Sequence, residues 1–197
     1  MEEGEGDMFG PVKRVYEWMR LFEGKWMVAG GWAIDLHIGE ETRMHEDVEV
    51  AIFRDEQLHL GPLLASCETM AVEQGRLVHW NMEKRLEPPV HEIHVSKGGE
   101  VQLEILLNER SRGDFRFRRN EAITFPLARM NLQSEFGIPY LNPEIVLLYK
   151  SKNTQKKDEI DFTHIFPHLN EGQREWLKQA LIHFEPNHPW LGKLLNN

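Results

Sequence analysis

The feature that most constrains this chain is a pair of carboxylates, Asp47 and Glu49, that opens the apolar run DVEVAIF. Residues two apart on a β-strand project from the same face, so the two acids share one face and the intervening apolar residues form the other. Like charges this close repel each other unless a partner neutralises them. Carboxylate oxygens suit Mg²⁺. A half-exposed strand with two solvated acids is the alternative interpretation.

Two glycines, Gly30 and Gly31, lie upstream of the acid pair. They separate KWMVA, which is typical of a short buried strand, from WAIDLHI, whose apolar residues and following Gly39 predict a helix. Glycine lets the backbone approach a ligand closely, and a helix N-terminus offers free N–H groups to an anion. We therefore expect phosphate groups and the acid pair to meet in one cleft.

A third acid, Glu104, interrupts the apolar strand VQLEILL. It lies on the face opposite the alternating residues Val101, Leu103, Ile105 and Leu107. An exposed sheet edge would also explain one acid here. A glycine turn, an acid pair and a third acid on a later strand together supply what two-metal phosphoryl transfer requires.

The rest of the chain predicts an α/β (α+β) fold with a mixed β-sheet flanked by helices. Period-three and period-four spacing predicts a helix over Pro11–Phe22, and a second helix from Asp55 is interrupted at Gly61-Pro62. HEIHV, VQLEILL and DFRFR predict strands, with SKGGE as a hairpin turn between the first two.

After residue 125 the pattern becomes helical. Asn142 and Pro143 are a good N-cap and first residue for the helix PEIVLLYK, and Asn170 is a second cap. We predict a nucleotide-binding α/β domain over 1–125 and a C-terminal helical domain over 126–197.

Composition limits the partners. A net charge of −9 over 197 residues argues against general nucleic-acid binding and favours a cationic or metal-bound ligand. The single cysteine, Cys67, allows no internal disulfide and is expected to be a small buried residue at a helix end. Met1 to Gly10 lack the apolar core of a signal peptide, and no apolar window reaches the ~18 residues of a membrane span. We therefore expect a cytoplasmic protein.

With these motifs the chain resembles the nucleotidyltransferase superfamily, whose pattern is a Gly-Gly or Gly-Ser turn, Asp-x-Asp or Asp-x-Glu, and a third acid on a separate strand. The stretch GGWAIDLHIGEETRMHEDVEVAIF is similar to the aminoglycoside 2''-adenylyltransferase-like family. PVHEI, LEILLNE, GIPYLNPEIVLLYKSK and KKDEIDF resemble a little-characterised bacterial branch of it. Relatives often carry Asp where this chain has Glu49 and Glu104.

The resemblance implies Mg²⁺-dependent transfer of a nucleoside monophosphate, from ATP or another nucleoside triphosphate, to a hydroxyl of a small, aminoglycoside-like acceptor. Pyrophosphate is released. It implies that Asp47, Glu49 and Glu104 are catalytic metal ligands, that Glu104 helps deprotonate the acceptor, and that Gly30 and Gly31 cradle the triphosphate. A non-catalytic module that binds a nucleotide or a partner protein is the alternative.

Several cations have two interpretations each. Lys150 and Lys152 follow the helix PEIVLLYK, where cations are favourable at a C-terminus, and related enzymes use such a lysine to contact the triphosphate. Arg43 is placed either to contact a phosphate oxygen or to brace its loop. The acids Asp158 and Asp161 also have two interpretations: they begin a later helix, where acids suit the helix dipole, and their recurrence in the family that the chain resembles implies a catalytic role as the alternative.

Three further features are weaker. Strand register places Glu92 or His94 beside Glu104, where one of them would support that carboxylate. The segment ERSRGDFRFRRN is either a solvated basic face or an RNA grip with interleaved phenylalanines. Trp80 lies among polar residues and is a candidate for base stacking.

Overall fold

The computed structural model describes residues 8–98 and 100–196. The first seven residues lie outside the described residues. They make up most of the segment, Met1 to Gly10, that was predicted not to be a signal peptide. No described helix is long and apolar enough to cross a membrane. The helices are α1 (Gly10–Met19), α2 (Gly30–Ile38), α3 (Leu60–Leu64), α4 (Pro143–Lys150), α5 (Lys156–Ile165), α6 (Glu171–Phe184) and α7 (Trp190–Leu195).

The strands form one mixed sheet, as predicted. They are β1 (Trp26–Val28), β2 (Glu49–Phe53), β3 (Glu68–Glu73), β4 (Arg76–His79), β5 (Glu92–Lys97), β6 (Glu100–Ser111), β7 (Asp114–Arg116), β8 (Thr124–Pro126), β9 (Asn131–Gln133) and β10 (Pro139–Leu141). The order is β4-β3-β5-β6-β2-β1-β10-β9, and β7 joins β6 to β8. The pairs β2–β6 and β1–β10 are parallel, and the others are antiparallel.

Strand β2 is central and is buried on both faces beyond its first residue. Val50, Ala51, Ile52 and Phe53 are all at most 1% exposed. The acid face predicted for this strand is therefore confined to its N-terminal end. Apolar residues follow because both faces of this central strand are covered, while β1 and β6 pair with its two edges.

Three helix predictions need correction. Helix α1 ends at Met19 rather than at Phe22. The helix expected from Asp55 is a 3₁₀ turn over Arg54–His59 that continues into α3, so Gly61 and Pro62 lie inside α3 instead of interrupting it. Proline is tolerated there because the first turn of a helix needs no intrahelical N–H partners.

The two predicted N-caps behave differently. Asn170 caps α6 through a capping box with Gln173. Asn142 stands at the N-cap position of α4, but its side chain makes no capping bond. Its Nδ2 donates to the Arg129 carbonyl, and its Oδ1 accepts from Gln173 Nε2, so this residue ties α4 to α6.

The predicted boundary at residue 125 falls within β8. Past it, β10 pairs with β1 and β9 pairs with β10, so the sheet continues beyond the first predicted domain before α4 begins. The division into 1–125 and 126–197 stays a prediction.

The core corrects two aromatic hypotheses. Trp80 is 4% exposed and donates from Nε1 to the Lys84 carbonyl, so it packs in the core and is not free to stack on a base. Phe115 and Phe117 are fully buried, so they leave no interleaved aromatics for an RNA grip. Cys67 is only partly buried, in the turn that follows α3.

Candidate active site

A cleft of about 410 Å³ opens where the β2–β6 pair meets the start of α2 and the end of α4. This volume lies within the usual range for small-molecule sites. The cleft is lined by all three predicted catalytic acids, Asp47, Glu49 and Glu104, and by Gly30, Lys150 and Lys152. Gly31 and Arg43 line an adjoining cavity of about 260 Å³, which shares Asp47, Glu49 and Lys150 with the cleft.

The parallel register brings two of the acids together. Glu49, the first residue of β2, is the direct partner of Glu104 on β6. Neighbouring strands lie about 4.8 Å apart, so both side chains leave the sheet at the same place. Asp47 lies before β2 rather than within it, in a bend of the preceding loop. The predicted two-acid strand is therefore one strand acid and one loop acid that line the same cleft.

Burial and neighbouring negative charge raise the pKa of Glu49 and of Glu104. Burial raises the pKa of Glu49, and the negative charge of Asp47 adds to this, while Lys150 opposes it. Burial, together with the charge of Asp47, raises the pKa of Glu104 to about 7, and His94 opposes the shift. A bound cation would remove this repulsion, because it favours the ionised form of every carboxylate around it.

The glycine pair has a steric role inside the protein. Gly30 has φ +59°, and a Cβ there would lie 1.4 Å from Glu49 Oε2. A Cβ on Gly31 would lie 2.3 Å from Arg43 Nη2 and 2.4 Å from His45 Cε1. The glycines therefore admit these side chains, so any contact with a phosphate is additional to this role.

An ion-pair network joins the loop before β2 to helices α4 and α5. Arg43 makes a bidentate pair with the fully buried Asp161, with Nε–Oδ1 and Nη2–Oδ2 distances of 2.7 and 3.0 Å. Lys150 Nζ lies 2.9 Å from Asp158 Oδ1 and 2.9 Å from Asp161 Oδ2. Arg43 thus braces its loop, and Lys150 reaches the cleft while paired with two carboxylates.

Sequence reasoning missed a second brace of this loop. Asp35 of α2 is fully buried and accepts from Thr42 Oγ1 at 2.6 Å, and its Oδ2 lies 2.6 Å from His45 Nε2. Trp32 Nε1 donates to the Asp47 carbonyl at 3.0 Å. An aspartate in an otherwise apolar helix was the available signal, since a buried acid needs partners.

The cleft has a cationic wall, of which the sequence predicted only Lys152 as a nucleotide-binding residue. Arg118 and Arg119, which follow β7, line the cleft together with Lys152 and Lys157. Arg119 Nη1 donates to the Tyr149 carbonyl at 2.8 Å, and the Arg118 guanidinium lies 5.5 Å from the centre of the Tyr149 ring. Burial lowers the pKa of both arginines. The alternation of arginines with Phe115 and Phe117 predicted that the arginines share one basic face. It did not predict that this face lies in the same cleft as Asp47, Glu49 and Glu104.

The register hypothesis for Glu104 is confirmed. His94 of β5 is its direct antiparallel partner, and His94 Nε2 lies 3.4 Å from Glu104 Oε1. The same nitrogen lies 2.7 Å from Glu92 Oε1. His94 and Glu92, the two residues that the predicted strand register placed near Glu104, therefore both lie beside it.

Known proteins resemble this chain in sequence and in fold. The sequence model of the aminoglycoside-2''-adenylyltransferase family matches residues 11–122, which is more than half of the chain. No curated protein matches the chain.

Solved structures share the fold. The lincomycin-bound lincosamide antibiotic adenylyltransferase LnuA is 15% identical, with TM-score 0.57, over 81% of this chain and 96% of its own. The solution structure of the antibiotic-resistance factor ANT(2'')-Ia is 13% identical, with TM-score 0.59, over 88% of this chain and 90% of its own. The complex of ANT(2'')-Ia with adenylyl-2''-tobramycin is 13% identical, with TM-score 0.58, over 88% of this chain and 96% of its own.

Proposed function

The chain belongs to the aminoglycoside-2''-adenylyltransferase family and is an adenylyltransferase-type enzyme, and from this membership we propose that it transfers AMP from ATP to a hydroxyl of a small acceptor. The observation that carries the proposal is the convergence of Asp47, Glu49 and Glu104 in one cleft with a cationic wall of Arg118, Arg119 and lysines. The non-catalytic alternative is not favoured, because the predicted acids line a common cleft in a chain that belongs to an enzyme family.

The acids suit Mg²⁺. Three carboxylates are hard oxygen donors, and the raised pKa values of Glu49 and Glu104 are relieved by a cation between them. Asp47, Glu49 and Glu104 would hold the ion, which when bound stabilises the charge on the reacting phosphate oxygens.

The cations of the cleft would bind the nucleotide. Arg118 makes no hydrogen bond or ion pair through its guanidinium in the described part of the chain, so its donors are available to the triphosphate. Lys152 and Lys157 are exposed and line the same cleft. Lys150 and Arg43, which are already paired with Asp161, would contribute charge rather than free donors.

Glu104 is the proposed acceptor of the hydroxyl proton. Its carboxylate faces the cleft from β6 and is steadied by His94. The acceptor O–H bond breaks as the new O–P bond forms at the α-phosphorus, the bond from that phosphorus to pyrophosphate breaks, and the proton moves to a Glu104 oxygen. The acceptor class is proposed from the family description alone, and an aminoglycoside is the first choice.

The test is pyrophosphate release by the purified protein with Mg²⁺, each of the four nucleoside triphosphates, and panels of aminoglycosides and lincosamides. We expect release with ATP and at least one acceptor, and loss of release in Asp47→Ala. The absence of pyrophosphate with every nucleotide–acceptor pair would contradict the proposal.

A further inference from the structure

Three potential metal ligands meet at the β5–β6 edge of the cleft. One carboxylate oxygen of Glu92, one imidazole nitrogen of His94 and one carboxylate oxygen of Glu104 all lie within 4.8 Å of one another. The imidazole nitrogen points at both carboxylates, at 2.7 Å from Glu92 and 3.4 Å from Glu104. Side-chain exposures of 30%, 25% and 19% leave room for an ion to enter while the groups stay partly shielded from water.

Backbone register holds this arrangement. Glu92 and His94 are two apart on β5, so they share a face, and Glu104 lies directly opposite His94 on β6. Cross-strand partners of this kind lie within about 5.5 Å of each other at Cβ. The three ligand atoms therefore converge without any change in the backbone.

The ligand atoms favour a transition metal. Magnesium prefers oxygen ligands in a near-ideal octahedron, whereas imidazole nitrogen suits zinc and similar transition metals, and the two carboxylates also suit manganese. Ligands around a tetrahedral ion with bonds of about 2.0 Å lie about 3.3 Å apart, and the two observed separations lie on either side of this value. Two carboxylates and one neutral imidazole also balance the charge of a divalent ion.

We propose that Glu92, His94 and Glu104 form a second metal site, which binds one divalent transition-metal ion of the zinc or manganese class. The site differs from the proposed magnesium site because it excludes Asp47 and Glu49 and includes an imidazole. It shares only Glu104 with that site, and binding of a transition metal here does not depend on nucleotidyl transfer.

Calorimetric titration of the full chain with ZnCl₂ and MnCl₂, without nucleotide, tests the proposal. We expect a zinc site that weakens at least tenfold in His94→Ala and in Glu92→Gln, and Mn²⁺ binding with a component that weakens in the same two variants. His91→Ala is the matched control, because His91 lines the same cleft but lies outside the cluster. Asp47→Ala is expected to retain zinc binding and lose Mg²⁺-dependent ATP binding, which separates the two sites.

Proton NMR of the wild-type histidines gives a second readout, in which the metal is added to the unaltered protein and a variant serves only for assignment. The His94 imidazole signals are assigned as those missing in His94→Ala. The variant Glu92→Gln keeps the shape of the Glu92 side chain and removes only its charge. We expect substoichiometric Mn²⁺ to broaden these signals before those of His91. Zinc affinity equal in wild type, His94→Ala and Glu92→Gln, or broadening of His91 first, would overturn the second site. If the wild-type protein shows no Mg²⁺-dependent ATP binding, that result would instead count against the proposed function.

Discussion

Replacement of Gly30 by alanine should separate backbone strain from damage to the acid cluster. The added Cβ would lie 1.4 Å from Glu49 Oε2 and 2.4 Å from its carboxyl carbon. Glu49 Oε2 must retreat by about 1.6 Å to reach the 3.0 Å below which real Cβ contacts are essentially never seen, and it can do so because it ends a flexible side chain. The carboxylate of Glu49 would therefore move away from its position opposite Glu104.

The expected loss of stability is modest. At φ +59° a Cβ costs roughly 1–2 kcal/mol of unfolding free energy. Gly39→Ala is the matched control, because Gly39 has φ +91° and a Cβ there would meet nothing within 4 Å. Urea unfolding should give similar losses for the two variants.

Ligand binding should distinguish the two glycine variants. Calorimetric titration of Mg²⁺-dependent ATP binding should show a loss in Gly30→Ala comparable to that in Glu49→Gln, and near wild-type affinity in Gly39→Ala. Gly30→Ala should also have little further effect in a Glu49→Ala background, since the displaced carboxylate is already absent. Wild-type affinity in Gly30→Ala, or the same loss in both backgrounds, would refute this reasoning.

Three further perturbations test the surrounding structure. Burial raises the pKa of Glu144 from 4.5 to about 7, so the contribution of this residue to stability is highest below pH 4.5 and falls as the pH rises to about 7. Glu144→Gln should remove this pH dependence and be more stable than wild type at pH 8 by up to about 3 kcal/mol. Thermal unfolding at several pH values measures both effects. Asp161→Asn leaves Arg43 without its bidentate partner and should cost roughly 3 kcal/mol in urea unfolding, whereas a cost under ~0.5 kcal/mol would contradict the brace. Arg118→Gln should weaken ATP binding roughly tenfold and reduce its salt dependence, while Arg112→Gln, in the exposed turn before β7, should leave both unchanged.

Local pattern predicted the elements that present the acids. The apolar alternation around Glu104 placed it on the polar face of β6, and the glycine turn placed α2 directly before the acid loop. The meeting of Glu49 with Glu104 depends on the parallel β2–β6 register, which no spacing within either segment encodes. The family resemblance supplied that relation.

Long-range polar contacts were not predictable. The Arg43–Asp161 pair joins residues 118 positions apart, and the burial of Asp35 depends on His45 folding back from the following loop. Trp80 was misjudged because its neighbours in the chain are polar, while the folded protein buries it and holds its backbone N–H against the Thr69 carbonyl of β3. In each case the contact is set by tertiary packing rather than by local composition.

The central claim is that Asp47, Glu49 and Glu104 together bind the ion that serves nucleotidyl transfer. The most direct measurement is a crystal structure with Mn²⁺ in place of Mg²⁺ and a non-hydrolysable ATP analogue, with the ion located by its anomalous scattering. We predict an anomalous peak within bonding distance of Asp47 and Glu49 carboxylate oxygens, with the nucleotide phosphates beside it and Glu104 facing the α-phosphorus. A nucleotide bound elsewhere, or the absence of an anomalous peak at Asp47 and Glu49, would contradict the account, whereas an additional Mn²⁺ ion at Glu92, His94 and Glu104 would not.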